Sequence, residues 1–305
     1  MANLAAMTLL ASTNNMKRVA LVTGGTAGIG KETARGLARA GFAVVFVGRD
    51  RQKCEQVVEE LRADTGNADI AALTADLSRL DDIRRVAAEF RAAQPRLDVL
   101  VNNVGAIFDT RRVTPDGFEQ TFALNHLSYF LLTNLLLDLL VASAPARIVS
   151  VSSAAHRFVS GVDFDDMQFE RKPYAAMRAY GQSKLMNILF SRELAQRLEG
   201  AGVTSNSLHP GGVASSFADN TTGWFRLTAT ALKRAFGISP ARGAETSLHL
   251  ATAPELERTS GKYFERRRES PTSAAAADRA AQKRLWQVSE EAVGQAFPPP
   301  AGVAS

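Results

Sequence analysis

Two residues with complementary chemistry stand one helical turn apart in the segment Ala179 to Asn187: Tyr180 and Lys184. An i,i+4 spacing puts the phenol and the ammonium on the same helix face. At an effective dielectric near 20, a lysine charge about 4 Å from a phenolate stabilises it by about 4 kcal/mol. That is enough to bring a tyrosine from its ordinary pKa of about 10 toward 7, where it can give or take a proton at physiological pH. The same spacing also describes an ordinary half-exposed helical pair. The proton-transfer reading therefore depends on the elements that would position it.

Those elements alternate. Val19 to Thr23 is a short apolar run ending at glycines, and Lys31 to Ala40 follows with helical periodicity. A strand at Ala43 to Val47, a helix at Arg51 to Ala63, a strand near Ala68 to Thr74, a helix at Asp81 to Ala93 and a strand at Leu97 to Val101 continue the series. Beyond them the pattern predicts a helix from about Pro115 to Val141 and a strand at Arg147 to Ser152. The Tyr180 helix then runs to Leu198, followed by a strand at Val203 to Leu208. A helix near Pro240 to Ala251, a short strand around Lys262 to Phe264 and a helix near Ala274 to Val293 complete it. Apolar strands separated by helices imply a doubly wound, Rossmann-like α/β fold: one parallel sheet of about seven strands with helices on both faces. We read a single domain over residues 17–295. Residues 1–16 are taken as a disordered extension or the product of an upstream start, and 296–305 as a disordered tail.

Composition excludes several functions. The lone cysteine, Cys54, can form neither an internal disulfide nor a cysteine zinc site, and it fits a reducing, cytoplasmic compartment. His126, His156, His209 and His249 lack ligand spacing, which argues against a metal centre. The net charge of +5 has its densest run at Arg266 to Arg268, three residues that read as a solvated face rather than a nucleic-acid surface. The apolar stretch Leu124 to Val141 is interrupted by Asn125, His126, Asn134 and Asp138, a pattern for a buried or dimer-forming helix and not for a membrane span.

The turn after the first strand is Thr23-Gly24-Gly25-Thr26-Ala27-Gly28-Ile29-Gly30, the place where a doubly wound fold binds a pyrophosphate. Its Gly-x-x-x-Gly-x-Gly spacing departs from the Gly-x-Gly-x-x-Gly fingerprint. Gly48-Arg49-Asp50 closes the second strand about 20 residues on, where an acidic residue would hold the 2′-hydroxyl of NAD. Gly48 brings no carboxylate there, Arg49 can pair with a 2′-phosphate, and Asp50 reads as a helix N-cap. The expected cofactor is NADP(H) in preference to NAD(H).

In these residues the chain resembles the short-chain dehydrogenase/reductase family from Lys17 to Gly294. The likeness rests on the glycine loop, Asp76 and Leu77 in Ala75-Asp76-Leu77, and Asn102-Asn103-Val104-Gly105, where Val104 replaces the usual alanine. It extends to Ile148 to Ser153 before the Tyr180 helix and to Pro210-Gly211-Gly212-Val213, with Ser215 where relatives often carry threonine. The resemblance implies cofactor contacts from Gly24, Thr26, Ala27, Gly28, Ile29, Gly30, Arg49, Asp76, Leu77, Asn103, Val104, Gly105, Pro210, Gly211, Val213 and Ser215, with Tyr180 and Lys184 reaching the ribose side. It implies hydride transfer between nicotinamide and a carbonyl carbon. Tyr180 is the acid/base, Ser153 the oxyanion donor with Ser152 as the alternative, and Lys184 both tunes the tyrosine and binds the ribose. Asn125 supports a proton relay. His209, before a proline turn, reads as structural.

Between Ser153 and Tyr180 lie 26 residues, more than most relatives have, with His156 following the serines. This connection, with Lys262-Tyr263-Phe264 and Leu285 to Ser289, looks like the branch of retinol dehydrogenases and their bacterial relatives. Phe158, Phe164, Met167, Phe169, Tyr174 and Met177 in that connection, and Phe217, Trp224, Phe225 and Phe236 in a lid over Ala214 to Ile238, point to a lipophilic ketone, aldehyde or alcohol as substrate. A homodimer or homotetramer through the Asn125 and Tyr180 helices is implied by the family, unless the lengthened C-terminus covers that face. The contrasting reading is a catalytically silent NADP-binding sensor or scaffold on the same fold.

Overall fold

The computed structural model describes residues 17–212 and 238–297. Val213, Ser215 and the aromatic residues expected in the lid lie outside the described residues, as do 1–16 and 298–305. Eight strands form one sheet in the order β3-β2-β1-β4-β5-β6-β7-β8. They are β1 Val19–Thr23, β2 Ala43–Gly48, β3 Ile70–Thr74, β4 Val99–Asn102, β5 Ala146–Val151, β6 Val203–His209, β7 Tyr263–Glu265 and β8 Arg268–Glu269. β1 to β7 run parallel and β8 is antiparallel to β7.

The helices follow from the same patterns. α1 (Gly28–Arg39), α2 (Arg51–Thr65) and α3 (Leu80–Ala93) alternate with the first four strands. Asp50 caps α2 as expected, accepting from the Lys53 amide at 2.9 Å, and Gly66 ends it in the left-handed conformation. Strand residues alternate between the two faces of the sheet. Leu21, Val45 and Leu100 join one apolar cluster, and Ala20, Val22 and Val44 the other, so burial on both faces makes each strand a continuous apolar run.

The segment expected as one helix from Pro115 to Val141 is four pieces: α4 (Gln120–Phe122), a π-helical turn at Ala123–Leu127, α5 (Ser128–Leu135) and α6 (Leu137–Ala142). The late start has a local cause. Gly117 turns the chain with φ +86°, Thr114 and Phe118 bond across that turn, and the Glu119 carboxylate caps Thr121 and Phe122 at 2.8 Å each. Capping by a glutamate that the chain buries completely is not visible in periodicity.

β5 leads through a 3₁₀ turn (Ala154–Phe158) and a loop into α7 (Ala176–Arg197), which carries Tyr180 and Lys184. α7 is buried along most of its length, because β6, the π turn and the C-terminal helix all pack on it. α8 (Pro240–Thr252) packs on α1. The expected C-terminal helix is divided into α9 (Ala274–Ala277) and α10 (Arg279–Val293), since Asp278 leaves the helix and caps Ala280 and Ala281. At the end of the described residues the buried ring of Phe297 meets Phe130 edge-on at 5.7 Å.

Candidate active site

The strand order reverses between β1 and β4, and the crevice at their carboxyl ends is where an open α/β sheet binds ligands. The glycine loop lies there. Gly24 has φ +71°, and a Cβ on it would sit 3.1 Å from Asn103 Nδ2 and 3.2 Å from Val104 Cα. A Cβ on Gly30 would fall 2.3 Å from the Gly24 carbonyl oxygen and 2.4 Å from Asn103 Nδ2. The loop and the Asn103-Val104-Gly105 segment are thus in direct backbone contact. Thr23 clips them together: its hydroxyl accepts from the Asn103 and Val104 amides at 2.8 and 3.0 Å, and Asn103 Nδ2 donates to the Thr23 carbonyl at 2.8 Å.

The cradle fits a dinucleotide. Thr26, Ala27 and Ile29 continue the loop into α1, whose N-cap residue Ala27 offers no side-chain acceptor, so the first amides of α1 are left for an anion. Gly48 abuts the loop, since a Cβ there would lie 2.4 Å from Thr26 Cγ2, and Arg49 stands exposed immediately beyond it. Asp76 accepts from the Ser78 amide and hydroxyl at 3.0 and 2.8 Å, an arrangement that orders the turn after β3, and Leu77 is buried beneath. Pro210 and Gly211 follow β6, which is registered with β5 so that the Ser152 amide donates to the Leu208 carbonyl at 2.7 Å. This sets the Pro-Gly turn beside the serines. His209 is registered opposite Glu265, and burial pushes its pKa down, consistent with a structural residue.

At the catalytic end the structure separates the two serines. Ser152 is buried and donates to the Lys184 carbonyl at 2.7 Å, so its hydroxyl is committed to α7. Ser153 caps the 3₁₀ turn by accepting from the Ala155 amide at 3.2 Å, and its hydroxyl also bonds the Tyr180 hydroxyl. Below them lies Lys184, buried, with Nζ 5.6 Å from the centre of the Tyr180 ring and donating to the Val151 carbonyl at 3.1 Å. A Cβ on Gly105 would fall 3.1 Å from Lys184 Nζ and 3.3 Å from Asn125 Oδ1, which brings the lysine, the asparagine and the cofactor-side backbone to one point.

Asn125 sits in the π turn. Its Oδ1 accepts from the Ala106 amide at 2.9 Å, and its Nδ2 donates to the Ala106 carbonyl at 2.9 Å and to Ser183 Oγ at 3.0 Å. The side chain therefore fastens the segment after β4 to α7. Two further anchors escaped sequence reasoning. The hydroxyl of Tyr129 donates to the Val104 carbonyl at 2.8 Å and lies 3.3 Å from that of Val151. The other is Thr23, which the sequence marks as the end of the first strand and the start of the glycine loop, with no sign of its clip to Asn103 and Val104. Tyr129 stands four residues after Asn125, a spacing that puts both on one helix face and could have marked it.

One electrostatic expectation is reversed. Tyr180 was expected to titrate low under the influence of Lys184; in the structure burial pushes its pKa up to about 12, with the Ser153 hydrogen bond pulling the other way. Burial also lowers Lys184 to about 7. Desolvation disfavours the charged form of the lysine, and so works against the charge that would stabilise a phenolate.

Comparison with known proteins agrees with this geometry. A family model described as short chain dehydrogenase matches residues 18–164. Retinol dehydrogenase 12 of Mus musculus is 44% identical over 277 residues, covering 91% of this chain and 86% of the relative. Among solved structures, an uncharacterized protein from Mycobacterium paratuberculosis superposes with a TM-score of 0.72 at 29% identity, covering 95% of this chain and 98% of the other. The Pseudomonas aeruginosa RhlG/NADP active-site complex has a TM-score of 0.65 at 30% identity, covering 81% and 93%. The chain belongs to the short-chain dehydrogenase/reductase family, on the branch that includes the retinol dehydrogenases.

Proposed function

We propose that the protein is an NADP(H)-dependent oxidoreductase that interconverts a lipophilic ketone or aldehyde and its alcohol. The observation that carries this reading is the hydrogen-bonded Ser153–Tyr180 pair standing over the buried Lys184 at the carboxyl edge of the sheet. When bound, the nicotinamide supplies or accepts the hydride. Everything else falls to the chain. Tyr180, held in its protonated form at neutral pH, donates its proton to the carbonyl oxygen during reduction. Ser153 donates a hydrogen bond to the charge that develops on that oxygen. In the oxidative direction Tyr180 must take the alcohol proton, and the protonated form of Lys184, which burial disfavours, is the group beside it that can stabilise the phenolate.

NADP(H) is preferred in this reading because Arg49, not a carboxylate, immediately follows β2 beside the loop, and the similar RhlG structure is an NADP complex. The lipophilic substrate is supported by the similarity to retinol dehydrogenase and by Phe158 and Met177, exposed large apolar side chains on the two segments that carry Ser153 and Tyr180. Among the described residues no helix is long and apolar enough to cross a membrane.

The test is nicotinamide oxidation followed by absorbance, with NADPH and NADH against lipophilic aldehydes, quinones and polycyclic ketones. Turnover with NADPH is expected, and Tyr180→Phe should lose about 10²–10⁴-fold in kcat with unchanged NADPH affinity. A Tyr180→Phe variant as active as the wild type would sink the reading. Tight NADPH binding without turnover on any substrate would favour the silent sensor.

A further inference from the structure

Two buried histidines connect the segments that bear Ser153 and Asn125 to one stretch of chain near the C-terminus. His156, fully buried in the 3₁₀ turn, donates from Nδ1 to the Ser153 carbonyl at 2.7 Å, an oxygen that can only accept. Its Nε2 then accepts from the Ser273 amide at 3.2 Å. Both bonds require the same neutral tautomer, and the ring is also packed edge-on against Tyr263 at 5.1 Å. Around it, Arg157 donates to the Pro271 carbonyl at 2.6 Å, and Arg192 of α7 donates to the Ala276 carbonyl at 2.6 Å and to Thr272 Oγ1 at 3.2 Å. Residues 271–276 are thus held from both the serine turn and the catalytic helix.

The second connection lies one residue from Asn125. His126, also fully buried, meets Ser289 Oγ of α10 at 2.8 Å through Nε2, and Ser289 donates its own proton to the Leu285 carbonyl at 2.7 Å. With that proton committed, His126 is the donor to Ser289. The ring stacks on Phe122 at 5.7 Å and meets Phe190 of α7 edge-on at 6.3 Å. A π turn gives up regular helix hydrogen bonding and needs outside support to hold one geometry.

We propose that residues 271–293 form a brace that positions Ser153 and Asn125, with His156 and His126 as its two positioning residues. The segment has no chemistry of its own. It fixes the peptide of Ser153, and through it the direction of the hydroxyl toward Tyr180. The inference rests on the catalytic reading of Ser153 and Asn125 given above.

The experiment is a double-mutant cycle in the full chain. His156→Phe keeps the ring and removes both hydrogen bonds; it should lower kcat by about 10–10²-fold, the scale of a misplaced catalytic group, at unchanged NADPH affinity. His156→Asn, which returns a donor near the Ser153 carbonyl, should recover most of that loss. Ser153→Ala alone should cost about 10²–10³-fold, and adding His156→Phe to it should cost less than about 2-fold more, because the group being positioned is gone. Ser289→Ala, which cuts the other latch, should lower kcat several-fold at unchanged NADPH affinity. Equal losses from His156→Phe in both backgrounds, or none in either, overturn the brace at Ser153, and an unchanged kcat in Ser289→Ala overturns it at Asn125. A fully active Ser153→Ala would instead bring down the catalytic reading beneath it.

Discussion

Replacing Lys184 by methionine should abolish activity and at the same time make the protein more stable. The side chain is buried, and burial lowers its pKa from the ordinary 10.5 to about 7. At about 1.4 kcal/mol per pH unit, that drop corresponds to about 5 kcal/mol spent on holding the amine in the fold at or below pH 7. Methionine has nearly the same length and no charge to desolvate. Its loss of the Nζ hydrogen bond leaves no orphan, since the Val151 carbonyl also has Asn187 Nδ2 and the Tyr129 hydroxyl within 3.3 Å. Allowing about 1–2 kcal/mol for imperfect packing, Lys184→Met should gain about 3–4 kcal/mol at pH 7. The sign of the pH dependence follows. The unfolded lysine keeps its proton up to 10.5 while the folded one releases it near 7, so wild-type stability from this group rises between those pH values and the variant's advantage shrinks to nothing by about pH 9–10. The assay is urea unfolding of nucleotide-free protein at pH 7 and at pH 10, read as the difference between variant and wild type. A variant less stable than wild type at pH 7, or an advantage that does not shrink with pH, would refute the argument that desolvation dominates at this position.

Two further outcomes are expected. Gly30→Ala places a methyl 2.3 Å from the Gly24 carbonyl oxygen and 2.4 Å from Asn103 Nδ2, the latter fixed by the Thr23 clip, so it should cost about 1–3 kcal/mol of stability and weaken NADPH binding at least tenfold. Denaturant midpoints and nucleotide fluorescence titration check this, and wild-type affinity would show that the loop is not the cradle. Acid should destabilise the fold through His126, whose pKa burial lowers from 6.5 to about 3. The unfolded histidine takes up a proton below 6.5 while the folded one resists, so this contribution is complete above pH 6.5 and drains at about 1.4 kcal/mol per pH unit as pH falls toward 3. About 2 kcal/mol should be gone by pH 5, measured as the urea midpoint, and His126→Gln should flatten that slope. An identical slope in the variant would count against it.

The order of strands and helices was legible in the sequence because burial on both faces of a parallel sheet leaves each strand as an apolar run, and the helices between keep a 3.6-residue period. The candidate site residues were placed by where strands end, at Gly24 to Gly30, Asn103 to Gly105 and Ser153, with Tyr180 and Lys184 one turn apart on α7, and the fold brings these segments to one edge of the sheet. Only the tertiary structure shows that Ser152 is tied to the Lys184 carbonyl while Ser153 lies against Tyr180, because contacts between the end of β5 and α7 are not carried by local spacing. It alone broke the predicted Pro115 to Val141 helix at Glu119, at the π turn and at Leu136, because a buried glutamate cap leaves no hydrophobic period and the contact of His126 with α10 is non-local. It also sets burial of Tyr180, which raises its pKa, against the lowering expected from Lys184. Spacing reports that a charge is near, but the desolvation that outweighs it is set by everything packed around the pair.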